Sequence, residues 1–328
     1  MSLVTEHVEQ PAALKTAVLF LVFNRPSVTR QVFEAIRRAQ PPCLYIAADG
    51  PRADHPEDAS RCAEAREIAT QVDWPCKLET LFRNENLGCR RAVSSALDWF
   101  FTTEEMGIIL EDDCLPARSW FPFAEEMLVR YRDDERVMCI SADHFHGDAC
   151  RPEHSYLFSI YNHCWGWASW RRAWRYYDHE MRHWPHLRNT NWLLHLGCGD
   201  RLFKTYWTRL FDTAYEELKV DSWSYRWTFS CWMQNGLTII PARNLVTNIG
   251  FGADATHTRS GLELPREELT FPLSHPPTMV RDVDADRWTK VHVFDITLWG
   301  LVKQTLRRLP IVGESLAAVK RISACLYR

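Results

Sequence analysis

Residues 107–116, GIILEDDCLP, end an aliphatic run on three consecutive carboxylates, Glu111, Asp112 and Asp113. Like charges side by side disfavour one another's ionisation, so water or a cation must offset them. The stretch is therefore either a solvated strand end or a site for a hard divalent ion, which takes carboxylate oxygens and is often held by one or two carboxylates plus substrate phosphates. Polar groups close other apolar runs in the same way. Phe23, Asn24 and Arg25 follow the run that starts at Thr16, Asp49 and Gly50 follow CLYIAA, and Arg83 ends CKLETLFR.

The elements between these points alternate in period. TAVLFLVF (16–23) suits a strand buried on both faces, and the following segment has helical spacing at Val28, Val32, Phe33 and Ile36. A second strand ends at Asp49, a helix over 58–71 carries Ala63, Ile68 and Ala69, and a third strand ends at Arg83. Val93, Ala96, Leu97 and Phe100 then make a helical stripe ahead of a fourth strand, MGIIL. Such alternation predicts an α/β fold with a mainly parallel sheet flanked by helices. Ligands of such sheets lie beyond the carboxyl ends of the strands, so the polar strand ends should share one rim.

Further along, 117–136 reads as a helix with Phe121, Phe123, Met127, Leu128 and Tyr131 as its apolar members, and VMCISAD as another strand. Helices are expected over 166–177 and 223–235, inside a segment that holds most of the fifteen tryptophans. Clustered tryptophans either pack a core or present an apolar body and polar edge to a sugar or interface. The expected partition is an extension over 1–15, a domain over 16–275 with nucleotide-binding (16–145) and acceptor (146–275) halves, and a helical tail over 276–328. From Lys303 onward the tail has six basic residues against one acidic, Glu314. It is either a packed terminal helix pair broken at Pro310 or a basic amphipathic anchor for an anionic membrane surface.

Bulk properties exclude some classes. A net charge of −3 and a pI near 6.5 give no global reason to expect nucleic acid as a partner. Eleven scattered cysteines with no C-x-x-C pair argue against a zinc site or disulfide framework and fit a cytoplasmic chain with reduced thiols. The first fifteen residues have no basic region followed by an apolar run, so no secretory signal is expected, and no stretch reaches the ~18 to 20 apolar residues of a membrane span.

Seven motifs occur in order: VFNRP (22–26), ADGPR (48–52), NENLGC (84–89), ILEDDCLP (109–116), CWGWASWRRAW (164–174), DSWSYRW (221–227) and NLVTNIGFGADATHT (244–258). Together they resemble the GT-A-type glycosyltransferases, specifically bacterial members related to the N-acetylglucosaminyltransferase I and protein O-mannose N-acetylglucosaminyltransferase group. The resemblance spans about residues 16 to 260. It implies an inverting, metal-dependent transfer of a sugar from a nucleoside diphosphate, UDP by preference, to a glycan or lipid-linked glycan hydroxyl in surface-polysaccharide assembly. Asp113 is then the manganese or magnesium ligand, with Asp112 and Glu111 beside ribose and donor sugar. Asp49 meets the nucleobase, and Arg25, with Arg83 as a second candidate, meets the diphosphate. Trp165, Gly166 and Trp167 underlie the donor sugar, and His257 completes the metal shell. Asp221 is the base, with Asp178 in reserve, because Ser224 stands where an acid is expected.

Each residue also has a plainer reading: Asp49 as a turn former, Asp221 as a helix cap, His257 as a loop histidine, and the tryptophans as core. Two rivals share the scaffold, a sugar nucleotidyltransferase and a non-catalytic nucleotide-sugar or carbohydrate-binding protein. The first needs a Gly-rich loop with a lysine after the first strand, and FNRPSVTR (23–30) has neither.

Overall fold

The computed structural model describes residues 14–216, 221–250 and 264–307. By its contacts the chain groups into two units, 1–179 with 221–282, and 180–220 with 283–328.

In the first unit β1 (Val18–Val22), α1 (Pro26–Ala39), β2 (Cys43–Ala48), α2 (Asp58–Ala69), β3 (Lys77–Phe82), α3 (Gly88–Thr103) and β4 (Met106–Glu111) follow the expected alternation. Then come β5 (Cys114–Pro116), α4 (Trp120–Arg130), β6 (Val137–Ser141), a 3₁₀ turn at Gly147–Ala149, β7 (Tyr156–Ser159), β8 (Trp167–Trp170) and α5 (Arg171–Trp174). The second unit holds α6 (Trp184–Leu187), α7 (Trp192–Leu196) and α8 (Arg201–Tyr215). The chain returns to the first unit with α9 (Ser224–Met233), β9 (Leu237–Pro241) and β10 (Val246–Asn248), and α10 (Val283–His292) and α11 (Leu298–Arg307) belong to the second.

Eight strands form one sheet in the order β3-β2-β1-β4-β8-β6-β9-β7, and β10 pairs with β5 beside it. β1 to β4 are mutually parallel, β6 and β9 run the same way, and β7 and β8 are antiparallel to their neighbours. The expected α/β class with a mainly parallel, helix-flanked sheet is what the molecule has. Strand parity divides the core. Val18, Phe20, Val22, Leu44, Ile46, Ile108 and Leu110 share a cluster with Phe33 and Ile36 of α1, Ile68 of α2 and Trp120, Phe123 and Met127 of α4. Tyr45, of the opposite parity, meets Trp99 and Phe100 of α3, with ring centroids 5.1 and 5.0 Å away.

Two local expectations are corrected. Residues 167–170, WASW, are a strand and not the start of a helix, with only a short helix after them. All four residues are buried between β4 and β6, so the backbone of a central strand is satisfied on both sides and the helix has no room to form. In α2 the buried residues are Asp58, Cys62, Ala65, Ile68 and Ala69, while Ala63 is exposed. Alanine is small enough to sit on either face, so it is a weak marker of helix rotation.

Candidate functional site

Because β1 to β4 are parallel, their carboxyl ends, with Phe23 to Arg25, Asp49, Arg83 and Glu111 to Asp113, fall on one rim. From β1 the chain steps outward through β2 to β3, then returns to place β4 on the other side of β1. The strand order reverses there, and a crevice opens at such a switch point. Residues following β1 and β4 therefore face each other across it.

The contacts bear this out. Arg25 donates from Nη1 to Asp113 Oδ2 at 2.9 Å and from Nη2 to Asp112 Oδ1. The Phe23 N–H donates to Asp112 Oδ2 at 3.2 Å. Burial alone would lower the guanidinium's affinity for its proton, but the two carboxylates hold it above its ordinary value. Burial pushes Asp112 up, Arg25 pulls it back, and the balance stays above the usual carboxylate range. Three carboxylates against one guanidinium leave negative charge over. Glu111 carries the consequence: burial, then Asp113 and Asp112, raise it to about 8 against the opposing pull of Arg25 and a hydrogen bond from the Trp223 side chain.

Backbone closes in from the other side. β10 pairs with β5, and the Ile249 N–H donates to the Asp113 carbonyl at 2.8 Å. A Cβ on Gly250 would overlap the Asp113 carboxylate and lie 2.6 Å from Arg25 Nη1, so only glycine lets this segment lie against the ion pair.

A second group of acids gathers at the amino end of α3. Asp49 accepts from the N–H groups of Leu87 (3.0 Å) and Gly88 (3.2 Å), from Asn86 Nδ2 (3.0 Å) and from its neighbour Gly50 (2.9 Å). Its burial outweighs these bonds and raises it. Asp221, half-exposed, accepts from the Arg90 N–H at 3.2 Å. The first N–H groups of a helix have no partner within it, and these together with the helix dipole favour both carboxylates. Cys89, the second residue of α3, has its thiol pushed up by burial and then by Glu111, Asp221, Asp113 and Asp49.

Other expected residues have plainer surroundings. Asn24 is buried and donates to Asp58 Oδ1 at 2.6 Å, and Arg52 binds the same carboxylate. Arg83 donates to Ser95 Oγ at 2.7 Å. The Trp165 N–H donates to Asp143 Oδ2 at 3.0 Å, and Gly166 takes a φ of +71° that favours glycine, its carbonyl accepting from the Ala142 N–H. Trp167 is enclosed by Trp174, Trp223 and Trp227. Asp178 is buried, its N–H on Ser230 Oγ of α9. His257 lies outside the described residues.

Among the described residues no three His, Cys, Asp or Glu side chains converge as metal ligands. The donor set still fits a hard divalent ion held by one or two carboxylates and completed by phosphate oxygens, since it is all oxygen and carries uncompensated negative charge. Three participants went unmarked in the sequence reading: Cys89, Trp223 and Gly250. Gly250 had a visible signal, two glycines in NIGFG with no apolar periodicity around them. Cys89 and Trp223 had none, because their neighbours are distant in sequence.

No protein-family model and no curated protein matches the chain. Solved structures with partial likeness include the mannosyltransferase PcManGT from Pyrobaculum calidifontis in complex with GDP-Man and Mn2+, at a TM-score of 0.33 and 17% identity over 49% of this chain and 45% of that one. A UDP-glucose pyrophosphorylase complexed with UDP-glucose gives 0.25 and 11% over 46% of this chain and 64% of that one. The chain thus spans less than two thirds of either. Likeness of that degree carries no argument, and the fold rests on the sheet order itself.

Proposed function

We propose that the chain is an inverting, metal-dependent glycosyltransferase that uses a nucleoside diphosphate sugar, UDP-linked by preference, and a glycan hydroxyl as acceptor. The observation that carries this is the acidic cluster of Glu111, Asp112 and Asp113 set against Arg25 at the switch point of the sheet. Arg25 Nε is buried with no hydrogen-bond partner, which leaves one donor of this guanidinium for a diphosphate oxygen. Asp113, with Asp112 beside it, would hold manganese or magnesium, and the ion when bound would offset charge developing on the departing diphosphate. Asp221 takes the proton of the acceptor hydroxyl as the bond from that oxygen to the anomeric carbon forms and the bond to the diphosphate breaks. A positioned base of this kind contributes roughly 10² to 10⁴ in rate.

A sugar nucleotidyltransferase fits less well. Only residues 23–25 separate β1 from α1, too short a turn to wrap a triphosphate. Calorimetry with UDP, with and without manganese, beside a screen of nucleotide sugars for metal-dependent hydrolysis and transfer, tests the assignment. Asp113→Asn should abolish metal-dependent donor binding, and Asp221→Asn should spare binding and lose transfer. Binding without turnover for every donor would make the chain a binding protein, and full transfer by both variants would sink the site.

A further inference from the structure

α11 leaves an apolar face uncovered. Leu298, Trp299 and Val302 are 71, 65 and 38% exposed, whereas Leu301 is buried as α11 packs on α8. Three neighbouring apolar side chains, one of them tryptophan, form a patch and not the scattered exposure normal for a protein surface. Lys303 extends over it, its Nζ 5.9 Å from the centre of the Trp299 ring. An aromatic body with a polar edge next to a long basic side chain suits the boundary between water and lipid.

Charge is divided in the same sense. The second unit has fourteen Lys and Arg against nine Asp and Glu, leaving twenty-five against thirty-three for the first. Six of the basic residues lie from Lys303 onward. A second copy on this face through a two-fold contact would set Lys303 against its own counterpart. An anionic surface meets Lys303, and a unit of net positive charge, with attraction.

We propose that the outward face of α11, Leu298, Trp299 and Val302 with Lys303, docks the protein reversibly on an anionic lipid surface. Apolar insertion and the basic residues act as two weak signals, each insufficient alone. The inference is independent of the proposed activity and is tested without it. The purified full-length chain is floated with vesicles of phosphatidylcholine alone and of equal parts phosphatidylcholine and phosphatidylglycerol. It should float with the anionic vesicles only, and less so as salt rises. Combined Leu298→Glu and Trp299→Glu should cut partitioning about tenfold or more, and Lys303→Gln about fivefold, both with unchanged thermal melts because the side chains are exposed. No flotation with anionic vesicles, or equal flotation of wild type and the double variant, would overturn the proposal. So would a wild-type dimer, without vesicle binding, that the double variant converts to monomer.

Discussion

Asp58 carries a charge with no exposure of its side chain, and Arg52 and Asn24 hold it to a pKa of about 2, below the usual 3.8. A depressed folded-state pKa means that the ionised form stabilises the fold above the unfolded-state value and that this is lost as pH falls through the folded-state value. Asp58 should therefore contribute on the order of 2 kcal/mol at neutral pH, lost as pH falls from about 4 to about 2. Denaturant titrations of wild type and Asp58→Asn across that window should show the gap between them closing toward acid. Gly250→Ala probes the crevice. The added methyl group displaces the Arg25 and Asp113 side chains, so metal-dependent UDP binding measured by calorimetry should weaken at least about tenfold, the cost of one misplaced charge-assisted bond, while the melt changes little. Unchanged binding would remove residues 248–250 from the site. Composition and order put Arg25 and the three acids on the rim; the capping of α3 by Asp49 and Asp221 was out of sight, because its partners lie 38 or more residues away.

At the scale of elements, β1, β2 and β4 were legible because strands buried on both faces read as unbroken apolar runs, whereas β3, a largely exposed edge strand, was legible from its place in the alternation. β8 was not. WASW is too short for any period to register, and its surroundings are rich in tryptophan throughout. Its environment makes it one of the more sensitive parts of the fold. Trp170 is 1% exposed, donates from Nε1 to the Leu128 carbonyl at 3.0 Å and has the Arg172 guanidinium over its ring at 4.3 Å. Trp170→Ala should cost roughly 3 to 5 kcal/mol through the cavity left between sheet and α4, read as a lowered denaturant midpoint with an unchanged slope. A loss under about 1 kcal/mol would mean that the neighbours collapse into the space.

For the whole molecule, grouping of residues 180–220 with 283–328 has no counterpart in the sequence, since no linker composition marks any of the three crossings. The scattered spacing of the cysteines leads to a prediction for the whole chain. None of the ten that fall among the described residues is drawn into a disulfide. Unfolded without reductant, the chain should titrate all eleven cysteines, and a deficit of two would reveal a disulfide. In the folded protein the exposed Cys198 should react first, while Cys62, pushed up to about 11 by burial, and the deeply buried Cys114 stay silent. The direction of β8 has a consequence of another kind. Trp167 pairs with Ile109 and Ser141 near the carboxyl ends of their strands, so β8 enters the sheet at the rim and leaves it at the far edge, where the Arg171 N–H reaches the Glu105 carbonyl. Lengthening or exchanging the chain just ahead of β8 would therefore remodel the crevice, which makes that stretch the place to graft a new preference, whereas just after β8 the buried Ala173 and Trp174 of α5 leave no room for an insertion.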